Sequence, residues 1–231
     1  MLNAAESQGP DHFSPRQNAV LEEALRLLVS GGEKALTTAG VARAANCSKE
    51  SLYKWFGDRD GLLSAMISYQ ASKVRTFERP GERLTAASLT DHLEVFAKDL
   101  LEVLAGDVSL ALNRLAIGQS SRDGSKFGTL LLERGRRQID RRARALLEAG
   151  QRDGLLRFND GEEAYRTLYG LIVSDLHVRM LLGDMPQTTS FGSRASKAVH
   201  AFLMLYGTER ILAGLDGTSR AGVSNNNIHH N

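Results

Sequence analysis

Apolar residues recur along most of this chain at spacings of three and four, the period of a helix face, and few segments alternate residue by residue as strands do. In the first such segment Leu21, Ala24, Leu25 and Leu28 share a face. Ser14 stands where an N-cap belongs, Pro15 at the first helical position, and Gly31-Gly32 at the stop. Two short helices, Thr37 to Ala45 and Ser48 to Phe56, are predicted next, joined by a turn. A fourth is expected from about Arg59 to Arg79, ended by Pro80. Leu93, Phe96, Ala97, Leu100, Leu101 and Leu104 mark a fifth, and Val108 to Gly118 a sixth. The seventh, Gly124 to about Gly150, is rich in arginine. The eighth, Glu162 to Leu182, and the ninth, Ser190 to about Leu215, are more apolar. The pattern is all-α, with about nine helices and no internal repeat. Residues 1–13 and 214–231 carry little to bury and are expected as disordered tails.

Composition changes this picture mainly by exclusion. The 231 residues are 42% hydrophobic and 24% charged, as in ordinary globular proteins. No apolar run reaches the roughly eighteen residues a membrane helix needs. The single cysteine, Cys47, excludes an intrachain disulfide, and the N-terminus lacks the basic-then-apolar order of a signal peptide, so a cytoplasmic protein is expected. With 29 basic and 27 acidic residues the net charge is only +2, too small to draw the whole chain to nucleic acid. Any basic surface must be local.

That surface falls at the two short helices. Thr37 and Ser48 can each cap one of them, and Asn46 between them tolerates the left-handed backbone of a sharp turn. Val41, Ala42, Ala45, Cys47, Leu52 and Phe56 can seal the inner side of the corner. From Lys34 to Arg59 five basic residues, Lys34, Arg43, Lys49, Lys54 and Arg59, face two acidic ones, Glu50 and Asp58, leaving +3. Two helices meeting at such a corner form a helix-turn-helix, whose second helix enters a DNA major groove. Tyr53, Lys54 and Arg59 suit phosphates, while Lys49 and Ser51 suit base edges. Thr37, Thr38, Ser48, Glu50 and Trp55 complete the expected DNA-contacting set. A carboxylate at Glu50 must accept from a cytosine amine, pair with Lys49, or be repelled.

This stretch resembles the N-terminal region of TetR/AcrR-type transcriptional regulators. The resemblance runs from Val20-Leu21 through Gly31-Gly32, Thr37, Val41-Ala42, Ser48, Ser51-Leu52-Tyr53, Phe56 and Arg59 to Leu62-Leu63. Arg59 stands where such proteins usually carry lysine, Asn46 where they carry glycine, and Cys47 where they carry valine. The run from Asp175 to Asp184 is similar to AefR-type C-terminal regions. The resemblance implies a three-helix reading head over residues 14–60 and a helical effector-binding and dimerisation domain over 61–213. It further implies a homodimer formed through the last two helices, bound to a palindromic operator in double-stranded DNA and released by a small-molecule effector. Met66, Tyr69, Phe96, Arg114, Tyr165 and Tyr169 are the candidate effector contacts. Gly170, Val173, His177 and Leu181, with Phe202 and Tyr206, are the candidate dimer contacts.

Other chemistry finds little footing. His92, His177 and His200 are scattered without metal-ligand spacing, so no metal or other cofactor is expected. No nucleophile elbow or phosphate-binding glycine loop occurs, and the chain is read as no enzyme. The six arginines from Arg134 to Arg144 wrap around their helix and predict a solvated face paired in part with Glu133 and Asp140. Two alternatives stand beside the effector-released repressor: a DNA-binding or interaction protein that needs no effector, and a helical enzyme built on a C-terminal cavity.

Overall fold

A computed structural model describes residues 13–75, 83–119 and 126–213. The two expected tails, Pro80 as a helix stop and the start of the seventh helix at Gly124 lie outside these, except for Phe13. Helix α1 (Pro15–Ala35) starts with a capping box: Ser14 Oγ accepts from the Gln17 amide at 3.3 Å, and the Ser14 N–H donates to Gln17 Oε1 at 2.8 Å. Gly32, at φ 64°, kinks its end. Short helices α2 (Thr38–Ala44) and α3 (Lys49–Phe56) follow, then α4 (Arg59–Ala71), whose first turn is capped by Asp58. Farther on come α5 (Ala86–Ala105), α6 (Asp107–Gln119) and α7 (Lys126–Leu130), a π-helical turn (Leu131–Arg136), and α8 (Arg137–Arg152). Helices α9 (Gly161–Val173), α10 (Leu176–Leu181) and α11 (Phe191–Tyr206) complete the order. Among the described residues there is no strand, only an isolated bridge between Leu156 and Gly207.

The helices group into two compact units. The first takes Met1–Val74, Val103–Ile139 and Met180–Asp184, and the second takes Arg75–Glu102, Asp140–Arg179 and Met185–Asn231. In the first, Val20, Leu21 and Ala24 of α1 are wholly buried with Met66 of α4, and Leu112 of α6 and Phe127 of α7 join the same core. Each large apolar side chain so buried contributes roughly 1.5–3 kcal/mol. In the second, α9 and α11 pack together through Leu168 and Ile172 on one side and Val199, Phe202 and Leu203 on the other, all essentially without exposure.

Four predicted helices break or stop early, and at each break the chain meets a distant partner. The fourth stops at Ala71: the Lys73 and Val74 amides turn back to Gln70 O and Ala71 O, and the Arg75 amide donates to Asp99 Oδ2 at 3.0 Å, while the predicted end at Arg79 lies outside the described residues. The Arg75 guanidinium adds two more bonds of 2.8 Å to the same buried carboxylate, which raises its own pKa. The seventh contains the π turn, where Gly135 lies so close to α4 that an added Cβ would stand 3.3 Å from Ile67 Cγ2. The eighth breaks at Ser174, at φ 47°. There Arg194 of α11 takes the last carbonyls of α9, with Nε to Ile172 O at 2.7 Å and Nη2 to Val173 O at 3.1 Å. The ninth breaks after Tyr206, whose carbonyl accepts from the Arg157 amide at 2.8 Å; residues 209–213 are helical again, and the predicted end at Leu215 lies outside the described residues.

A polar link near the end of α4 ties it to α1. Tyr69 Oη donates to Glu22 Oε1 at 2.5 Å, and burial together with this acceptor pushes the phenol from 10.0 up to about 12. A raised folded-state value favours the native state fully below the unfolded pKa, and that contribution is lost as pH rises through the folded one. Stability is therefore expected to decline between pH 10.0 and about 12 in the wild type. Tyr69→Phe should flatten this part of the decline; an identical alkaline profile in the two proteins, followed by chemical denaturation, would contradict the link.

Candidate nucleic-acid interface

The corner between α2 and α3 is built from local signals. Thr37 Oγ1 accepts from the Gly40 amide at 3.0 Å and Ser48 Oγ from the Ser51 amide at 3.1 Å, so each helix is N-capped; such a cap contributes about 1 kcal/mol. Between them Asn46 takes φ 48°, and the Cys47 amide returns to Ala42 O at 2.9 Å. Val41 and Ala42 from α2, Ala45 just past its end, and Leu52 and Phe56 from α3 are buried in the core that α1 shares, with Cys47 half-buried beside them. The start of α4 presses against this corner. A Cβ on Gly61 would stand 1.9 Å from Phe56 O, so only glycine fits there.

A second fastener comes from α1 and carries no local sequence signal. Arg16 Nη2 donates to Ala45 O at 3.0 Å and to Asn46 O at 2.7 Å, clamping the turn across 29 and 30 residues of chain. The bonds use a charged donor, the stronger kind.

With the inner side sealed, the outer side of α3 is left to solvent. Lys49, Glu50, Tyr53 and Lys54 are exposed, Tyr53 at 55%. Ser51 and Trp55 are half-buried, and Trp55 meets Phe56 edge-on with ring centroids 6.3 Å apart. All five basic residues counted between Lys34 and Arg59 are exposed. Glu50 lies in the first turn of α3, and its carboxyl is held below the usual carboxylate range by its own backbone N–H, then by Ser48 and Lys49. It therefore serves the helix N-terminus, which favours negative charge. Thr37 and Ser48 spend their hydroxyls as caps, and Thr38 is half-buried. Arg59 is exposed, but its guanidinium is paired with Glu33 at 2.8 Å.

The predicted effector contacts divide between the two units. In the first, Met66 is fully buried, Tyr69 holds Glu22, and Arg114 donates to Met180 O at 2.9 Å and Leu181 O at 3.0 Å, capping α10. In the second, Phe96 and Tyr165 are buried, and the Tyr165 ring lies 6.1 Å from that of the half-buried Tyr169. Two open clefts of that unit, about 340 and 300 Å³, are lined by none of the six. Of the predicted dimer contacts, Gly170 is exposed, and His177, Leu181 and Tyr206 are half-buried. Val173 and Phe202 lie inside the protomer core at 3% and 0% exposure. Exposed apolar surface stands instead at Val178, Leu182, Met204 and Leu205. Among the described residues no helix is long and apolar enough to cross a membrane, and no cluster of His, Cys, Asp and Glu is placed to hold a metal ion.

Replacing the clamp gives a direct check on how the corner is held. Arg16→Ala is expected to lower stability by about 1–2 kcal/mol and to speed amide exchange at Cys47, whose bond closes the turn. Melting and exchange unchanged from wild type would show that the clamp contributes nothing.

Comparison with known proteins bears on the same elements. Residues 20–66 match the sequence profile for bacterial regulatory proteins of the tetR family. Residues 91–208 match that for the AefR-like transcriptional repressor, C-terminal domain. The crystal structure of a TetR transcriptional regulator from Agrobacterium tumefaciens is 75% identical, with a TM-score of 0.78, over 87% of this chain and 99% of that one. The flavonoid-responsive regulator FrrA shares the fold at 22% identity and a TM-score of 0.62, over 84% of this chain and 98% of its own. The uncharacterized HTH-type transcriptional regulator YvkB of Bacillus subtilis is 34% identical over 58 residues, 25% of this chain and 31% of that protein. The match to YvkB thus spans less than a third of that relative's length. The N-terminal match falls on the capped and clamped corner, the C-terminal match reaches α11, and the Agrobacterium regulator aligns nearly from end to end: this chain belongs to the TetR family and is a DNA-binding transcriptional regulator, not an enzyme.

Proposed function

We propose that the protein is a homodimeric repressor that occupies a palindromic operator until a small-molecule effector binds. The observation that supports this most is the asymmetry of α3. Leu52 and Phe56 are sealed into the core while Lys49, Tyr53 and Lys54 stand exposed on a locally basic surface. A helix so held can enter a major groove with its early residues toward base edges. In this reading Tyr53, Lys54 and Arg59 bind phosphates and position the protein, and Lys49 and Ser51 read bases. Thr37, Thr38, Ser48, Glu50 and Trp55 border the same contact.

Residues 14–60 form the reading head, and residues 61–213 bind the effector and the partner. The match of residues 91–208 to an AefR-like repressor domain supports repression. Two-fold pairing sets two reading helices about one helical turn of DNA apart or somewhat more, which is why a palindrome is the expected site. Pairing through the predicted eighth and ninth helices, which the structure divides into α9, α10 and α11, would cover Met204 and Leu205, exposed at 57% and 65% on α11, together with Gly170 and Tyr206. Effector release works by population shift: a ligand that prefers heads set at the wrong spacing must favour that state by several kcal/mol to clear most of the operator.

The test is the salt dependence of binding to a mixed-sequence duplex. Each phosphate contact contributes about 0.9 to the slope of log affinity against log salt. Lys54→Ala should flatten that slope by about one per protomer, and Tyr53→Phe should weaken binding to every duplex alike by loss of a hydroxyl. Lys49→Ala should instead change which duplexes are preferred. Slopes and preferences unchanged in all three variants would overturn the assignment.

A further inference from the structure

Arg59 opens α4 at the position given above to a DNA phosphate, yet its guanidinium is already engaged. Its Nη2 donates to Glu33 Oε1 at 2.8 Å. The other oxygen of that carboxylate, Oε2, accepts from Gln119 Nε2 at 2.7 Å. One carboxylate near the end of α1 thus joins the start of α4 to the end of α6, all within the first compact unit.

A carboxylate and a phosphate present a guanidinium with the same feature, a pair of anionic oxygens matching its planar fork. Binding to one leaves fewer N–H groups for the other, and an approaching phosphate is repelled by an anion that keeps its place. Arg59 and Glu33 side chains are 51% and 39% exposed, so water and salt screen their pair and a phosphate can displace it. The bond from Gln119 holds the carboxylate in place, which leaves Arg59 as the member that turns.

We propose that Glu33 is a positioning residue for DNA binding: its carboxylate occupies Arg59 as a phosphate would and limits how readily that arginine reaches the DNA backbone, while Gln119 fixes the carboxylate from α6. The inference rests on Arg59 being a phosphate contact. It makes the affinity for DNA backbone depend on the distance between the end of α6 and the end of α1.

Binding of wild type, Glu33→Gln, Arg59→Ala and the double variant to a mixed-sequence duplex several helical turns long, by fluorescence anisotropy over a salt series, tests this. Thermal melts first establish that each protein is folded. Glu33→Gln is expected to bind roughly two- to fivefold more tightly per protomer, with a salt slope steeper by up to about one per protomer. Arg59→Ala should flatten the slope, and the double variant should match Arg59→Ala alone, because the gain from Glu33→Gln requires the arginine. Weaker or unchanged binding by Glu33→Gln, beside a flattened slope in Arg59→Ala, would overturn the inference and leave the phosphate contact standing. An unchanged slope in Arg59→Ala would overturn both. If Glu33→Gln does not fold, Gln119→Leu takes its place: tighter binding with a steeper slope supports the inference, and wild-type behaviour overturns it.

Discussion

The reading of DNA by this protein depends on how firmly one side of α3 is buried. An eight-residue helix is too short to hold its shape alone in water, because the cost of nucleating it outweighs the few bonds it makes. Here Leu52 and Phe56 anchor it in the core that Val20, Leu21 and Ala24 supply from α1. The Ser48 cap fixes its first turn, and Arg16 fixes the turn that delivers it. Rigidity on the inner side is what gives the outer side a defined set of positions for Lys49, Tyr53 and Lys54. A groove-entering helix that rocked on its neighbours would spend part of its contact energy on being ordered.

The same α1 that seals the corner also carries the contacts that reach beyond it. Glu22 receives Tyr69 from the last turns of α4, and Glu33 receives Arg59 from its first. Helix α4 is therefore held to α1 at both ends by side chains on the solvent side of a shared apolar seam. Gln119 brings α6 to the same carboxylate that holds Arg59. Leu112 of α6 and Met66 of α4 also share the close-packed core, where displacing either helix means repacking.

Much of the fold was legible in the sequence because its signals are local. Ser14, Thr37 and Ser48 cap as expected, Asn46 takes the left-handed turn, and the apolar ninth helix buries Phe191, Ala195, Ala198, Val199, Phe202 and Leu203 on one face of α11. Chemistry between distant residues was not legible. Helical period cannot foresee that Asp99 captures the Arg75 amide, that Arg194 takes the end of α9, or that Gly135 meets Ile67. Arg16 and Glu33 are missed for the same reason, since nothing near them in the sequence marks their partners. Periodicity also leaves open whether an apolar face packs inside one protomer or against another; Val173 and Phe202, candidate partner contacts by sequence, are buried within the protomer. Arg114, a candidate effector contact by sequence, donates to the carbonyls of Met180 and Leu181, partners that helical period cannot foresee.

The central claim is that a rigidly seated pair of α3 helices reads a symmetric DNA site. In vitro selection from random duplex DNA with the purified full chain, near physiological salt, tests it most directly. Enrichment of a palindrome whose half-sites lie about one helical turn apart or somewhat more is the predicted result. A folded, dimeric protein that enriches no sequence would contradict the account.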